Sequence, residues 1–408
     1  MTVEIIPKNY ISGSLTVPGD KSISHRAAIL AAIAEGITEI SGFLPAEDTM
    51  STVNCLRQLG VEAEIGEITR IHGRGLHGLL PPQKPLNCGN SGTTMRLLAG
   101  LLAGQVFDSV LIGDESLQKR PMARVIAPLE LMGAKIKSKK EKAPMEITGS
   151  RLKGINYQMP LHSAQVKSAI LLASLYAKGK TTVHDLAPGM TRNHTEELLK
   201  HFGHPNPLKA REIRIPGDFS SAAFFIVLGL LLAKDGLTIE NVGLNPTRTG
   251  LLTALCAMGG NIQISGNSIL VRKSDLTATN IDKNLAPLMI DEIPIFTIAA
   301  AFATGTTTIS GAAELAHKES NRIQAMTSEL TKLGVNISAT ADGMIIHGGA
   351  PLKGANLDSH NDHRIAMSLA IAATAADGAS TLKNADCIKI SYPDFFSVIP
   401  RLTRNPQM

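Results

Sequence analysis

The chain has 408 residues, 44% of them hydrophobic and 18% charged, with a net charge of +5. That length exceeds one compact core and predicts two domains of a globular protein. With 3% aromatic residues and no Trp, stacking platforms for nucleic acid are scarce, and the small cationic excess fits anionic small molecules better.

The longest apolar run, 222–233, is too short to span a bilayer, and the N-terminus "MTVEIIPKNY" has no signal-peptide core. A cytoplasmic protein with no membrane partner is the expectation. Cys55, Cys88, Cys256 and Cys387 are dispersed, which supports neither a disulfide framework nor a zinc site.

In chain order, an Ala- and Leu-rich helix running into Gly is predicted six times, at Gly36, Gly104, Gly179, Gly236, Gly305 and Gly378. Each Gly is placed to cap its helix, and a β-branched run such as "TTTISG" follows most of them. A second helix ends at Gly60, Gly133, Gly203, Gly259 and Gly334, and the sixth unit runs out near Leu402. Gly36 to Gly236 is 200 residues, Gly104 to Gly305 is 201 and Gly179 to Gly378 is 199. Chance recurrence of common helices does not give three matched offsets. The chain therefore reads as an α/β protein of two homologous lobes, each with three units of strands and two helices. One lobe is 17–216; the other is 1–16 plus 217–408. Two crossings between lobes predict a hinge, with a ligand cleft between them.

Polar residues gather where each unit's first helix begins: "DKSISHR" (20–26), "CGNSGTTMR" (88–96), "LHSAQVKS" (161–168), "GDFSSAA" (217–223), "DEIP" (291–294) and "SHNDHR" (359–364). A cap needs one Ser or Asp and no cation. The first motif brings Lys21 and Arg26 to a helix N-terminus that already favours negative charge, which points to an anion from outside the chain. Asn90 to Thr94 have the composition of an anion cradle, without Walker spacing. Singly each motif is more often a cap than a site; six together weaken that reading. Arg120 precedes Pro121, read as a helix start. Lys318, Glu319 and Arg322 are spaced to share one helical face, which alone reads as a solvated salt-bridge lattice. Asp291 and Glu292 serve equally as first-turn caps or catalysts, His25 and His363 equally as packing or acid–base groups. Cys88 reads as a small buried residue.

The motifs "PGDKSISHR", "GNSGTTMR", "KRPM", "SAQVKSA", "TRNHTE", "DEIP", "KESNR" and "NDHRIAM", in this order and spacing, resemble the 5-enolpyruvylshikimate-3-phosphate synthases over nearly the whole chain. The resemblance implies a two-lobed inside-out α/β barrel with three βαβαββ units per lobe. It also implies transfer of the enolpyruvyl group of phosphoenolpyruvate to the 5-hydroxyl of shikimate 3-phosphate, a step of aromatic amino-acid biosynthesis. By motif matching, Lys21, Ser22, Arg26, Ser163, Ala164, Gln165, Arg192, Asp291 and Lys318 would contact shikimate 3-phosphate. Lys21, Gly92, Arg120, Gln165, Arg322 and Arg364 would hold phosphoenolpyruvate, arginines suiting its carboxylate and phosphate by bidentate geometry. Asp291 is the matched base for the hydroxyl; Glu319 and Lys21 are candidates for delivering a proton to the vinyl carbon. Lobe closure would exclude water. Neither a metal nor a redox cofactor is needed, and a monomer is expected.

There are departures. Asn193 stands where the family commonly has Asp, and Ile390 where some members have Lys, with Lys389 adjacent. Gly92 is the small residue of members in which glyphosate competes with phosphoenolpyruvate, while "SAQVKSA" is closer to a divergent class. Two rivals are a UDP-N-acetylglucosamine enolpyruvyltransferase, which usually has a Cys in the loop matching "GDESLQKRPM", and a non-catalytic anion-binding repeat protein. This loop has no Cys, and bare binding does not need acids among anion-binding cations.

Overall fold

In the computed structural model, which describes residues 1–187 and 189–402, the chain divides into two compact units. An inserted unit spans Gly19–Ile215; a split unit comprises Met1–Pro18 and the chain from Pro216 onward. Each repeats three times the order long helix, strand, second helix. The long helices of the inserted unit are Lys21–Ala32, Gly92–Ala103 and Ala164–Ser174. Those of the split unit are Phe219–Leu232, Ile293–Phe302 and His363–Ala375.

The sheets follow the repeats. Glu35–Ser41 pairs antiparallel with Ile68–Arg74 and parallel with Ile213–Arg214, and Glu62–Glu64 adds to the far edge. The split unit repeats this arrangement: Leu237–Glu240 pairs antiparallel with Ser268–Arg272 and parallel with Gly13–Thr16. Gly13–Thr16 thus completes a sheet whose other strands come far later in the chain. The third sheets are smaller, Asn156–Gln158 pairing with Thr182–His184 and Asn356–Asp358 with Ser380–Lys383, which Val3–Ile5 extends.

The long helices are apolar around most of their circumference, so they are stable only inside. All 14 residues of Phe219–Leu232 are buried, and Phe224 meets Phe395 edge to face at 5.7 Å. Each unit has its own core, and among the described residues no helix is long and apolar enough to cross a membrane. Gly100 sets the spacing of two long helices. A Cβ there would stand 2.1 Å from the Ala169 carbonyl oxygen, so only Gly lets Gly92–Ala103 approach Ala164–Ser174 this closely.

The glycines divide into two kinds. Gly60, Gly133, Gly203, Gly259 and Gly334 follow the C-caps of their second helices with positive φ. Of the six first-helix glycines, only Gly104 is a cap, and its φ is −94°. The others lie beyond caps such as Ile33 and Ala303, with positive φ, in the turn before the next strand or, for Gly36 and Gly305, at its first residues. The expected capping role is corrected there: the chain needs left-handed backbone to reverse into the sheet, after the helix has already ended.

Candidate functional site

In the inserted unit, the three motifs sit at the N-termini of the long helices. Asp20, Ser91 and Ser163 cap them, accepting from the amides of Ile23, Thr94 and Val166. Lys21 pairs through Nζ with Asp48 Oδ2 at 3.0 Å. Buried Arg26 spans three elements, donating Nη1 to Ser22 Oγ (2.8 Å), Nη2 to Ser168 Oγ (2.7 Å) and Nε to Thr195 Oγ1 (2.8 Å). His194 Nδ1 lies 3.3 Å from Ser22 Oγ, so the segment that carries Arg192 converges here too.

A second tie joins the other two helices. Arg96 Nη1 donates to Gln165 Oε1 at 2.8 Å, and Gln165 Nε2 donates to Thr93 Oγ1 at 2.9 Å. Arg120 Nη2 donates to Asn90 Oδ1 at 2.6 Å. A Cβ on Gly92 would stand 3.4 Å from Arg120 Nη1 and 2.6 Å from Arg96 Nη1. These bonds gather Lys21, Ser22, Arg26, Gly92, Ser163, Ala164 and Gln165 at the starts of the long helices, with Arg120, at the end of Glu115–Lys119, tied in through Asn90, and Arg192 two residues before His194. Of the expected cradle, the Ser91 and Thr94 hydroxyls are buried and bond each other at 2.8 Å; they belong to the protein's interior rather than to a ligand. His25 also points inward, its Nδ1 2.7 Å from Thr52 Oγ1. Burial first, then the charges of Lys21 and Arg26, hold its pKa well below the ordinary value. That favours the packing role for His25.

In the split unit, the half-buried carboxylate of Asp291 faces three cations. Lys318 Nζ and Arg322 Nη1 lie 3.4 and 3.5 Å from Oδ1, and Arg364 Nη2 lies 3.8 Å from Oδ2. Arg364 Nη1 donates to the Asp291 carbonyl at 3.2 Å. Arg322 is fully buried, with Nε donating to Asp362 Oδ2 (2.8 Å) and Nη2 to Glu319 Oε2 (2.7 Å). Its Nη1 makes no hydrogen bond among the described residues. Burial disfavours the charge on Arg322, but the carboxylates of Asp362, Glu319 and Asp291 outweigh it and raise its pKa. The cation is permanent.

Three local expectations are corrected. Lys318, Glu319 and Arg322 share no helical face, because the helix begins at Arg322 with Asn321 as its cap, and Lys318 ends the short 3-10 turn Ala313–His317. Pro121 does not start a helix; Arg120 closes Glu115–Lys119, and the next helix begins at Ala123. Glu292 holds the N-cap position of Ile293–Phe302 without a side-chain cap bond. Its buried carboxylate instead takes the Ser220 hydroxyl and lies 3.7 Å from Arg248 Nη2. Asn193 likewise precedes its helix without a side-chain cap bond. Lys389 is exposed beside buried Ile390 on the turn Ala385–Ile390.

Sequence reading passed over Asp48, Ser168, Thr195 and Asp362, the partners that orient the cations. Asp362 carried a signal, as the acid in "NDHR" placed to cap a helix, and Ser168 and Thr195 lie within the motifs "SAQVKSA" and "TRNHTE"; Asp48 carried none. Among the described residues, only Glu62, Glu64 and His72 bring three metal-ligating atoms within 4.8 Å. They lie across the exposed strands Glu62–Glu64 and Ile68–Arg74 as cross-strand neighbours, and none is among the residues above.

Residues 5–399 match the family model for EPSP synthase (3-phosphoshikimate 1-carboxyvinyltransferase). A 3-phosphoshikimate 1-carboxyvinyltransferase of Thermoanaerobacter sp. (strain X514) is 48% identical, over 98% of this chain and 100% of that one. Its namesake from Coxiella burnetii is 46% identical, over 99% and 98%. The solved EPSP synthase of Acinetobacter baumannii superposes with a TM-score of 0.84 at 43% identity, covering 98% of both chains. The enolpyruvyl transferase NikO from Streptomyces tendae, at 18% identity and a TM-score of 0.79 over 98% of this chain and 97% of that one, shares the fold.

Proposed function

The chain belongs to the EPSP synthase family, and we propose that it transfers the enolpyruvyl group of phosphoenolpyruvate to the 5-hydroxyl of shikimate 3-phosphate, releasing phosphate. The observation that carries the site assignment is Asp291 faced by Lys318, Arg322 and Arg364 from separate segments of the split unit. Lys318 also pairs with Glu314, and Arg322 with Glu319 and Asp362, which hold these cations in place beside a partly accessible acid, an arrangement that suits substrates bringing carboxylate and phosphate groups.

In this reading Asp291 removes the proton of the 5-hydroxyl as its oxygen attacks C2 of phosphoenolpyruvate. Lys21 or Glu319 gives a proton to the vinyl carbon, forming a methyl group and a tetrahedral intermediate. Loss of a proton from that methyl group and of phosphate from C2 restores the double bond. Arg120, Arg322 and Arg364, with Gln165, Lys21 and the Gly92 backbone, hold phosphoenolpyruvate. The unspent Nη1 donor of Arg322 supports its part, since Nε and Nη2 are held by Asp362 and Glu319. Ser22, Arg26, Ser163, Ala164, Gln165, Arg192, Lys21, Asp291 and Lys318 hold shikimate 3-phosphate. Arg26 acts mainly by aiming Ser22, because its three nitrogens already bond protein oxygens.

The enzyme works as a cytoplasmic monomer on these two small anions, without nucleic acid or membrane. The scarcity of aromatic residues supports the former point, and the charge of both substrates, which keeps them from crossing bilayers, supports the location. The test is phosphate release from phosphoenolpyruvate with shikimate 3-phosphate as acceptor, beside UDP-N-acetylglucosamine. Release with the first alone is expected; release with the UDP-sugar alone, or with neither, defeats the reading.

A further inference from the structure

Behind the Asp291 cluster lies a buried carboxylate that the chemistry above does not use. Glu329, on the helix Arg322–Lys332, is fully buried. Its Oε2 accepts from the Asp358 amide at 2.9 Å, and its Oε1 lies 2.9 Å from His360 Nε2. Lys332 Nζ donates to both oxygens, at 2.8 and 2.7 Å. Apart from Lys332, these partners belong to the turn 358–362. Burying an acid merely to fill a core is unfavourable, so the turn is what the carboxylate serves.

That turn needs holding. His360 and Asn361 both have left-handed backbone, with φ of 52° and 56°, which non-glycine residues keep only where neighbours impose it. Asp358 accepts from the His360 amide (2.7 Å) and Ser359 Oγ from the Asn361 amide (3.1 Å). The turn ends at Asp362, which caps His363–Ala375 through the Arg364 amide (2.9 Å) and takes Arg322 Nε (2.8 Å) and Ser320 Oγ (3.1 Å). One short turn therefore fixes Asp362 and Arg364. Glu329 clamps it from the same helix that begins with Arg322.

We propose that Glu329 is a positioning residue for phosphoenolpyruvate: by clamping the turn 358–362 it sets, through Asp362, the placement of the Arg322 and Arg364 guanidiniums. This rests on the assignment of those two arginines to phosphoenolpyruvate. Glu329→Gln removes the charge that gathers Lys332 and His360 while keeping the volume and one acceptor. His360→Ala removes one contact to the clamp from the exposed side.

The test is steady-state kinetics with each substrate varied in turn, on wild type, Glu329→Gln, His360→Ala and Arg364→Lys. Glu329→Gln is expected to raise the phosphoenolpyruvate KM about tenfold, because small misplacements of binding groups are costly. The shikimate 3-phosphate KM should stay within about twofold, since most of its assigned contacts lie in the inserted unit. His360→Ala should move the same KM by a smaller factor, and carries the test alone if Glu329→Gln does not fold. Arg364→Lys separates the two claims: an unchanged phosphoenolpyruvate KM there sinks the arginine assignment itself. A raised KM for Arg364→Lys with unchanged KM in the clamp variants overturns the role of Glu329. A lowered kcat with both KM values unchanged overturns it as well, because lost stability alone removes active enzyme without altering the site.

Discussion

Arg96 donates Nη1 to Gln165 Oε1 at 2.8 Å, and a methyl group on Gly92 would stand 2.6 Å from that same nitrogen. The far end of a flexible side chain can move, so Gly92→Ala should fold, but Arg96 must then pull on Gln165. Phosphoenolpyruvate KM should therefore rise. Glyphosate, longer than phosphoenolpyruvate, should lose more, with its inhibition constant rising about tenfold or more, the usual scale of one methyl group in a fitted site. Measuring both constants at fixed shikimate 3-phosphate checks this. Equal factors would mean that the whole effect runs through Arg96 and Gln165, with no direct clash.

Asp291→Asn and Glu319→Gln should each lower kcat by about 10²–10⁴, the range for a lost acid or base. Both should stay folded, because Arg322 keeps its bonds to Asp362. The checks are turnover and circular dichroism on the same preparation. Near wild-type turnover in a folded variant would remove that residue from the chemistry.

Gly100→Ala tests the spacing of two helices. With the Ala169 carbonyl oxygen 2.1 Å from the added Cβ, backbone must shift, at a cost of about 1–3 kcal/mol. For a unit of this size each kcal/mol lowers Tm by about 2–4 °C. Calorimetry should show that fall, and the phosphoenolpyruvate KM should rise because Arg96 and Gln165 bridge the same two helices. An unchanged Tm would show that the helices separate freely.

His25 makes stability depend on pH. Its folded-state pKa is depressed, by burial first and then by Lys21 and Arg26, so the unfolded chain binds a proton below about pH 6.5 that the folded chain refuses. Stability is full above pH 6.5 and falls below it by up to about 1.4 kcal/mol per pH unit, until the folded-state pKa is reached. Denaturant unfolding at pH 7 and pH 5 should show a smaller loss for His25→Gln than for wild type. Equal losses would assign the acid sensitivity to other groups.

The repeat, the family and the start of each long helix are legible from the order of residues alone. Those signals are local or periodic: a cap reaches three residues ahead, as Asp20 does to Ile23, and the duplication shows in Gly offsets that no folding is needed to see. Whether a polar residue at a helix start faces inward or outward was decided only in three dimensions. Ser91 and Thr94 had the composition of a cradle yet bond each other in the interior. Lys318 and Glu319 had helical spacing yet lie before the helix, because Asn321 caps it and the chain must first come round to Asp291. The partners that aim the cations are remote, 27 residues apart for Lys21 and Asp48 and 169 for Arg26 and Thr195. No local pattern encodes such pairs. They follow from how closely the helices pack, which Gly100 permits and the sheets enforce, and so Glu329, whose partners Asp358 and His360 lie 29 and 31 residues further on, is legible only in the folded turn 358–362.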